Sequence, residues 1–338
     1  MNTQYGFRKG FTTSDASLRL FHNAHLSLNN QNYFGVVSID LSKAFDTVDH
    51  DVLLPKLQYY GFRGLSYNLI KSYLSERVQS VSVNGVSSGS LPVVVGVPQG
   101  SVLGPLLFSL YINDMPNCVP DNTTILMYAD DTLLFIEDKN INNLSCKLNY
   151  SLSKLYNWLS SNFLTLNINK TMFSIITLKN LPDNINICIN GKSVVETKSF
   201  KFLGVIIDSK LKFHEHVNYI VAKLAKSRGI FYKLKHLPKH ILITLYYSLV
   251  YPFIYYCIEA WGNCYKTTIY PLEIIQKTFI RVICNLTYYA STKSSFNDLK
   301  ILKIYDAYKY FSLIYFFKIL KQNKADYMKQ YNVQHSNY

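Results

Sequence analysis

Three aspartates stand where they could do chemistry. Asp40 closes the apolar run Phe34-Gly35-Val36-Val37-Ser38-Ile39, and Asp130 and Asp131 lie side by side between two further apolar runs. A carboxylate at the end of a buried strand is costly unless something pairs with it. Adjacent carboxylates repel unless a cation or solvent lies between them. Three carboxylates gathered by one sheet would suit two magnesium ions, with manganese a possible substitute. Such ions clamp the attacking and leaving oxygens of a phosphoryl transfer. Magnesium keeps waters and borrows phosphate oxygens, so few protein ligands suffice. Taken alone, Asp130-Asp131 reads more readily as an ordinary solvated turn.

The elements that would position these residues alternate between strand and helix. The run from Phe34 to Ile39 has strand length, and Ser42 is placed to cap a helix carrying Ala44, Phe45 and Val48 on one side. A second helix is expected from about Asp51, with Leu54, Leu57 and Tyr60 on one face, ending at Gly61. Val78 to Val83 and Val86 to Val95 flank Asn84-Gly85, a strong hairpin signal. Pro105 fits the first turn of a helix through Leu107, Leu110 and Tyr111. Ile125–Tyr128 and Thr132–Ile136 are expected as strands around Ala129-Asp130-Asp131. From Phe213 onward helical spacing takes over, beginning with Val217, Ile220, Val221 and Leu224 and finishing with Leu302 to Leu320. The reading is an α/β half followed by a basic, aromatic-rich helical half.

Several segments resemble the palm motifs of reverse transcriptases, taken in order. Phe34 through Asp40-Leu41-Ser42-Lys43-Ala44-Phe45-Asp46 is similar to the first, and Gly96-Val97-Pro98-Gln99-Gly100-Ser101-Val102-Leu103-Gly104-Pro105 to the second. Tyr128-Ala129-Asp130-Asp131 resembles the third, and Trp158 through Asn167-Ile168-Asn169-Lys170-Thr171 the fourth. Lys201-Phe202-Leu203-Gly204-Val205 is similar to the primer-gripping motif. Gln4-Tyr5-Gly6-Phe7-Arg8-Lys9-Gly10 resembles the entry to the fingers in non-LTR, LINE-type retrotransposon enzymes. Tyr-Ala-Asp-Asp alone is a weak signal; six motifs in order over about 200 residues are a strong one.

The resemblance implies a right-hand polymerase, an α/β palm with fingers followed by a mostly helical thumb. It implies fingers and palm over 1–209, starting late relative to the family, then a basic thumb-like region over 210–325 and a polar tail over 326–338. Asp40, Asp130 and Asp131 would ligate the two magnesium ions, and Lys170 would be the general acid for pyrophosphate. The backbone at Leu41 would face the triphosphate, and Phe45 would exclude a ribose 2′-hydroxyl. Gln99 and Gly100 would shape the nucleotide pocket, while Arg8 and Lys9 would meet phosphates. Phe202, Leu203 and Gly204 would hold the primer end. Bland alternatives stand beside these: Phe45 as core, Lys170 as solvated surface, Leu203-Gly204 as ordinary strand. The implied partners are an RNA template, a DNA primer and deoxynucleoside triphosphates, in the nucleus or cytoplasm and not in a secreted setting. A catalytically silent, truncated remnant that only binds nucleic acid is the alternative.

Charge points the same way. Of a net +14, ten basic residues against Asp208 and Glu215 fall between Lys198 and Lys239, so 10 − 2 = 8 of those charges sit in roughly an eighth of the chain. Such a concentrated field suits a polyanion, and Lys223, Lys226 and Lys233 share one helical face that would follow a primer–template duplex. A solvated lysine face is the plainer reading. The six cysteines show no paired spacing, which argues against zinc and for a reducing compartment. His214 and His216, two apart, fall on different helix faces and make a poor metal pair. Ile241 to Ile258 carries no charge over eighteen residues. Pro252 and five tyrosines make it a kinked core helix and not a membrane span.

Overall fold

A computed structural model describes residues 3–182 and 185–321, so the expected polar tail over 326–338 lies outside the described residues. The chain divides into two units, Met1–Gly204 and Val205–Tyr338. That division falls five residues before the expected one at 209, because Val205–Asp208 packs with the helix that follows it.

The first unit opens with α1 (Thr13–Asn29), started by a reciprocal capping box. The Thr12 hydroxyl accepts from the Asp15 N–H at 3.2 Å, and the Asp15 carboxylate accepts from the Thr12 N–H at 2.6 Å. Pattern reading passes over this helix, because His22, Asn23 and His25 dilute its apolar stripe of Ala16, Leu20, Phe21 and Ala24. β1 (Tyr33–Ile39) follows, and after it the chain bends into the short β2 (Leu41–Ser42).

The helix expected after Ser42 does not form. Lys43 takes a left-handed conformation (φ 49°), and residues 43–47 make a turn. The carbonyls a helix would use are occupied: Phe45 accepts from the Val97 N–H at 2.9 Å and Val48 from the Gly96 N–H at 2.7 Å. Helix α2 (His50–Tyr59) begins instead at Asp49, whose carboxylate caps the Asp51 and Val52 N–H groups. Its buried face is Leu53 and Leu57, with Leu54 and Tyr60 only half-buried.

α3 (Gly64–Leu74) leads into two nested ladders, β3 (Val78–Gln79) with β6 (Leu91–Pro92) and β4 (Ser82–Val83) with β5 (Val86–Ser87). Asn84 and Gly85 make the expected turn, both at positive φ (53° and 81°). The strands are shorter than expected because their valines lie in solvent and bury no face. α4 (Leu103–Tyr111) carries Pro105 in its first turn. β7 (Thr124–Tyr128) and β8 (Asp131–Asp138) form a tight hairpin, and α5 (Ile141–Ser161) is capped by the Asn140 side chain. β9 (Thr165–Leu166), β10 (Met172–Ile176), the hairpin of β11 (Cys188–Ile189) with β12 (Lys192–Ser193), β13 (Val195–Glu196) and β14 (Ser199–Phe202) complete the unit.

The five strands of the main sheet lie in the order β13-β10-β1-β8-β7, with β1 antiparallel to both neighbours. Both faces are buried. Val37, Ile39, Leu134 and Ile136 share one core with Leu144, Leu148, Leu152 and Leu155 of α5. The alternate residues Phe34, Val36, Leu133 and Phe135 are also buried, on the side where α1 meets β1 and β7. Gly35 lets α5 approach, since a Cβ there would come within 2.7 Å of Leu148 Cδ1.

In the second unit β15 (Val205–Asp208) precedes α6 (His214–Lys233), which packs along α10 (Lys266–Ile283), with the Phe231 and Phe279 rings edge to face at 4.8 Å. The stretch expected as one kinked helix is broken in two, α7 (Lys239–Leu249) and α8 (Tyr251–Tyr255), with Val250 at φ −120° between them. Pro252 explains the break, because it supplies no N–H and so takes a first-turn position in α8. α9 (Ile258–Trp261) buries Trp261 completely, and α11 (Lys293–Asp298) and α12 (Ile304–Lys321) end the unit. No helix among the described residues is long and apolar enough to cross a membrane.

Candidate active site

Strand register gathers the aspartates. β1 pairs with β8 up to Ile39↔Thr132, which leaves Asp40 and Asp131 as the next residues beyond that last pair, near enough for the Asp40 charge to act on Asp131. Were the alternation of side chains along β1 to continue one residue further, both carboxylates would share the face of Ser38 and Leu133. Tyr128 pairs with Asp131, leaving Ala129 and Asp130 as a two-residue turn, with Ala129 at φ 58°. Asp40 itself is pinned by β9 and the residues after it: its carbonyl accepts from the Asn167 N–H at 2.9 Å, and its N–H reaches the Thr171 hydroxyl at 3.4 Å.

The Asp131 carboxyl feels the other two aspartates. Asp131 presents solvent-exposed surface, yet protein crowds its carboxyl. That crowding first, then the charges of Asp130 and Asp40, raise the Asp131 pKa above its ordinary 3.8. Among the described residues no three His, Cys, Asp or Glu side chains close round a point that could hold a metal. The donor set still fits a hard cation: oxygen-only, partly open to solvent, and electrostatically unsatisfied.

A polar cleft of about 640 Å³, lined by Lys43, Asp46, Arg77, Gln79, Gly96 and Gln99, opens along the turn that follows Asp40 in the chain. Gln99 donates to the Asp46 carboxylate at 2.7 Å. Gly96 has φ 88°, and a Cβ there would meet the Asp46 carbonyl oxygen at 2.8 Å, so only glycine lets this loop close on the turn after Asp40. Gly100 also needs its positive φ (77°), with open space around it. Phe45 is half-buried, its ring 4.5 Å from that of Phe108 and packed against the hydrophobic core. Leu41 is buried and paired with Leu166.

The remaining expected residues are more scattered. Lys170 is exposed in the turn that carries Thr171, close along the chain to the contact with Asp40. Arg8 is half-buried, donating to the Gln4 carbonyl at 2.9 Å and lying 4.3 Å over the Phe11 ring, while Lys9 is exposed. The Phe202 side chain is only 3% exposed, so a ligand would meet the Leu203–Gly204 turn (φ 43° and 86°) and not that ring. Lys223, Lys226 and Lys233 are exposed along α6, opposite its buried Val217, Ile220, Leu224 and Phe231. Sequence reasoning did not single out Gln4, Asp46, Gly96 or Thr171 within their motifs. Gly96 could have been found, because a lone glycine beside Pro98 marks a constrained loop.

Residues 1–207 match the family described as reverse transcriptase (RNA-dependent DNA polymerase). The RNA-directed DNA polymerase from the mobile element jockey of Drosophila melanogaster is 30% identical over 314 residues, covering 90% of this chain and 34% of that protein. The probable RNA-directed DNA polymerase from transposon BS of the same species is 30% identical over 311 residues, covering 88% and 34%. Among solved structures, telomerase from Candida albicans, in complex with a TWJ fragment of telomeric RNA, superposes with a TM-score of 0.51 at 14% identity over 89% of this chain and 56% of that one. That likeness is one of fold, the right-hand polymerase. The chain belongs to the reverse transcriptase family. Within it, the similar relatives are non-LTR retrotransposon polymerases, and the chain spans about a third of their length (34%).

The raised Asp131 pKa has a consequence for stability. The folded chain holds that proton more tightly than the unfolded chain, so stability falls as pH rises above 3.8 and remains lower at neutral pH. Asp131→Asn therefore raises the melting temperature at neutral pH, by a margin that shrinks as pH approaches 4. Equal margins at both pH values in thermal melts would contradict this origin.

Proposed function

We propose that this chain polymerises DNA on an RNA template for a retrotransposon, adding deoxynucleotides to a primer 3′-hydroxyl. The observation that supports the reading is the β1–β8 register, paired as far as Ile39↔Thr132, which leaves Asp40 and Asp131 as the next residues with Asp130 on the adjoining turn. These three carboxylates would hold two magnesium ions, which when bound supply charge neutralisation for the attacking and leaving oxygens. The chain's own part is positioning. The Leu41 backbone faces the triphosphate, and Gln99, held by Asp46, sets one wall of the nucleotide cleft with Gly100. Phe45, braced by Phe108, closes the space a 2′-hydroxyl would need. Lys170 would protonate pyrophosphate, Arg8 and Lys9 would meet phosphates, and the Leu203–Gly204 turn beside the buried Phe202 would hold the primer. The second unit serves as the thumb.

Extension of a DNA primer on an RNA template with magnesium tests the reading. The wild type extends; Asp40→Asn and Asp130→Asn abolish extension and leave template–primer binding nearly intact. Wild-type binding without extension would mark a nucleic-acid-binding remnant instead.

The α6 face gives an independent test. Each lysine that neutralises a phosphate releases about one counterion, steepening log K against log salt by ~0.7–0.9. Changing Lys223, Lys226 and Lys233 together to Gln should flatten the slope for an RNA–DNA duplex by about two units. Arg228→Gln, off that face, should barely alter it. Equal slopes for wild type and the triple variant would make the face a solubilising surface only.

A further inference from the structure

The turn that carries Asp130 is held from outside its own hairpin. Ala129 adopts φ 58°, a region that a residue with a Cβ keeps only where its surroundings enforce it. Its N–H lies in the turn, beyond the last β7–β8 pair at Tyr128↔Asp131. The partner comes from 125 residues away: Gln4 Oε1 accepts from the Ala129 N–H at 3.1 Å and from the Gly6 N–H at 2.8 Å. Gln4 Nε2 lies 3.5 Å from the Ala129 carbonyl oxygen, so one side-chain amide addresses both polar groups of that residue. Gln4 is only 2% exposed, which makes its amide expensive to leave unpaired.

The backbone around Gln4 is built to deliver that amide. The Met127 N–H donates to the Thr3 carbonyl at 2.9 Å and the Tyr5 N–H to the Met127 carbonyl at 2.8 Å, pairing the segment in parallel with β7. Gly6 then passes so close that a Cβ there would sit 2.4 Å from the Ala129 nitrogen. Arg8 braces the Gln4 carbonyl from the other side at 2.9 Å.

We infer that Gln4 is a positioning residue for the metal-binding aspartates: by clamping Ala129 in its left-handed conformation it fixes the aim of Asp130 and Asp131. The inference rests on the proposed metal site. Groups that orient metal ligands without touching the metal typically change affinity by about 10–100-fold when lost.

Mn2+ binding to the whole chain, read by electron paramagnetic resonance of the free ion, tests it without recourse to activity. Asp131→Asn should lose most of the binding. Gln4→Met, similar in size but without hydrogen-bonding groups, should weaken it about tenfold or more. Gln4→Glu keeps an acceptor for the Ala129 N–H and should restore most of the affinity. If Gln4→Met does not fold, Gln4→Asn takes its place, because its amide is one methylene too short to reach Ala129. Wild-type affinity in folded Gln4→Met or Gln4→Asn, with binding lost in Asp131→Asn, would overturn the positioning role alone. If wild type binds no Mn2+, or Asp131→Asn binds as well as wild type, the metal site fails and the inference falls with it.

Discussion

A slip of one residue between β1 and β8 would turn every side chain of β1 to the opposite face of the sheet. The pairing Ile39↔Thr132 excludes that slip because both faces are buried: Val37 and Ile39 are needed against the leucines of α5, while Phe34 and Val36 are needed on the α1 side. Asp40 follows directly on this doubly constrained strand. Were the alternation to continue one residue further, it would lie in phase with Phe34 and Val36 and face the same way as Asp131. The hydrophobic core thus sets the strand register that ends at the carboxylates, with α5 packed closely over Gly35.

The arrangement opposes local stability at its working end. Crowding by protein first, and then the charges of Asp130 and Asp40, raise the proton affinity of Asp131, and Ala129 is held in a conformation that favours glycine. Both tensions are met from elsewhere in the first unit. Thr171 and Asn167 fix the Asp40 backbone, Gln4 and Gly6 fix the Ala129 turn, and the Gly96 loop closes on Asp46. These supports come from three different motifs, each of which completes a contact in another.

Much of this was legible in the sequence where one short segment decides the outcome. The β1 run, the Asn84-Gly85 turn, Pro105 at a helix start and the apolar stripe of α6 are local signals, and the structure follows them. Ser42 misled because a cap and an apolar spacing do not reveal that the Phe45 and Val48 carbonyls will be taken by residues about fifty positions later. Gln4 was hidden for a similar reason, since its partner is 125 residues away. Phe202 was legible as part of a motif but not as a buried side chain. Helix α1 was missed because its polar residues mask a stripe that is nonetheless fully buried. Local chemistry can be read along the chain, whereas the bonds that brace the site connect distant segments.

If the proposed function holds, Asp40 and Asp131 share a cation beyond the last β1–β8 pair. Anomalous diffraction from crystals grown with Mn2+, a primer–template duplex and a deoxynucleoside triphosphate measures this directly. The account predicts a strong peak with carboxylate oxygens of both Asp40 and Asp131 at about 2 Å. A peak bound to only one of them, or density showing the two carboxylates on opposite faces of the sheet, would contradict it.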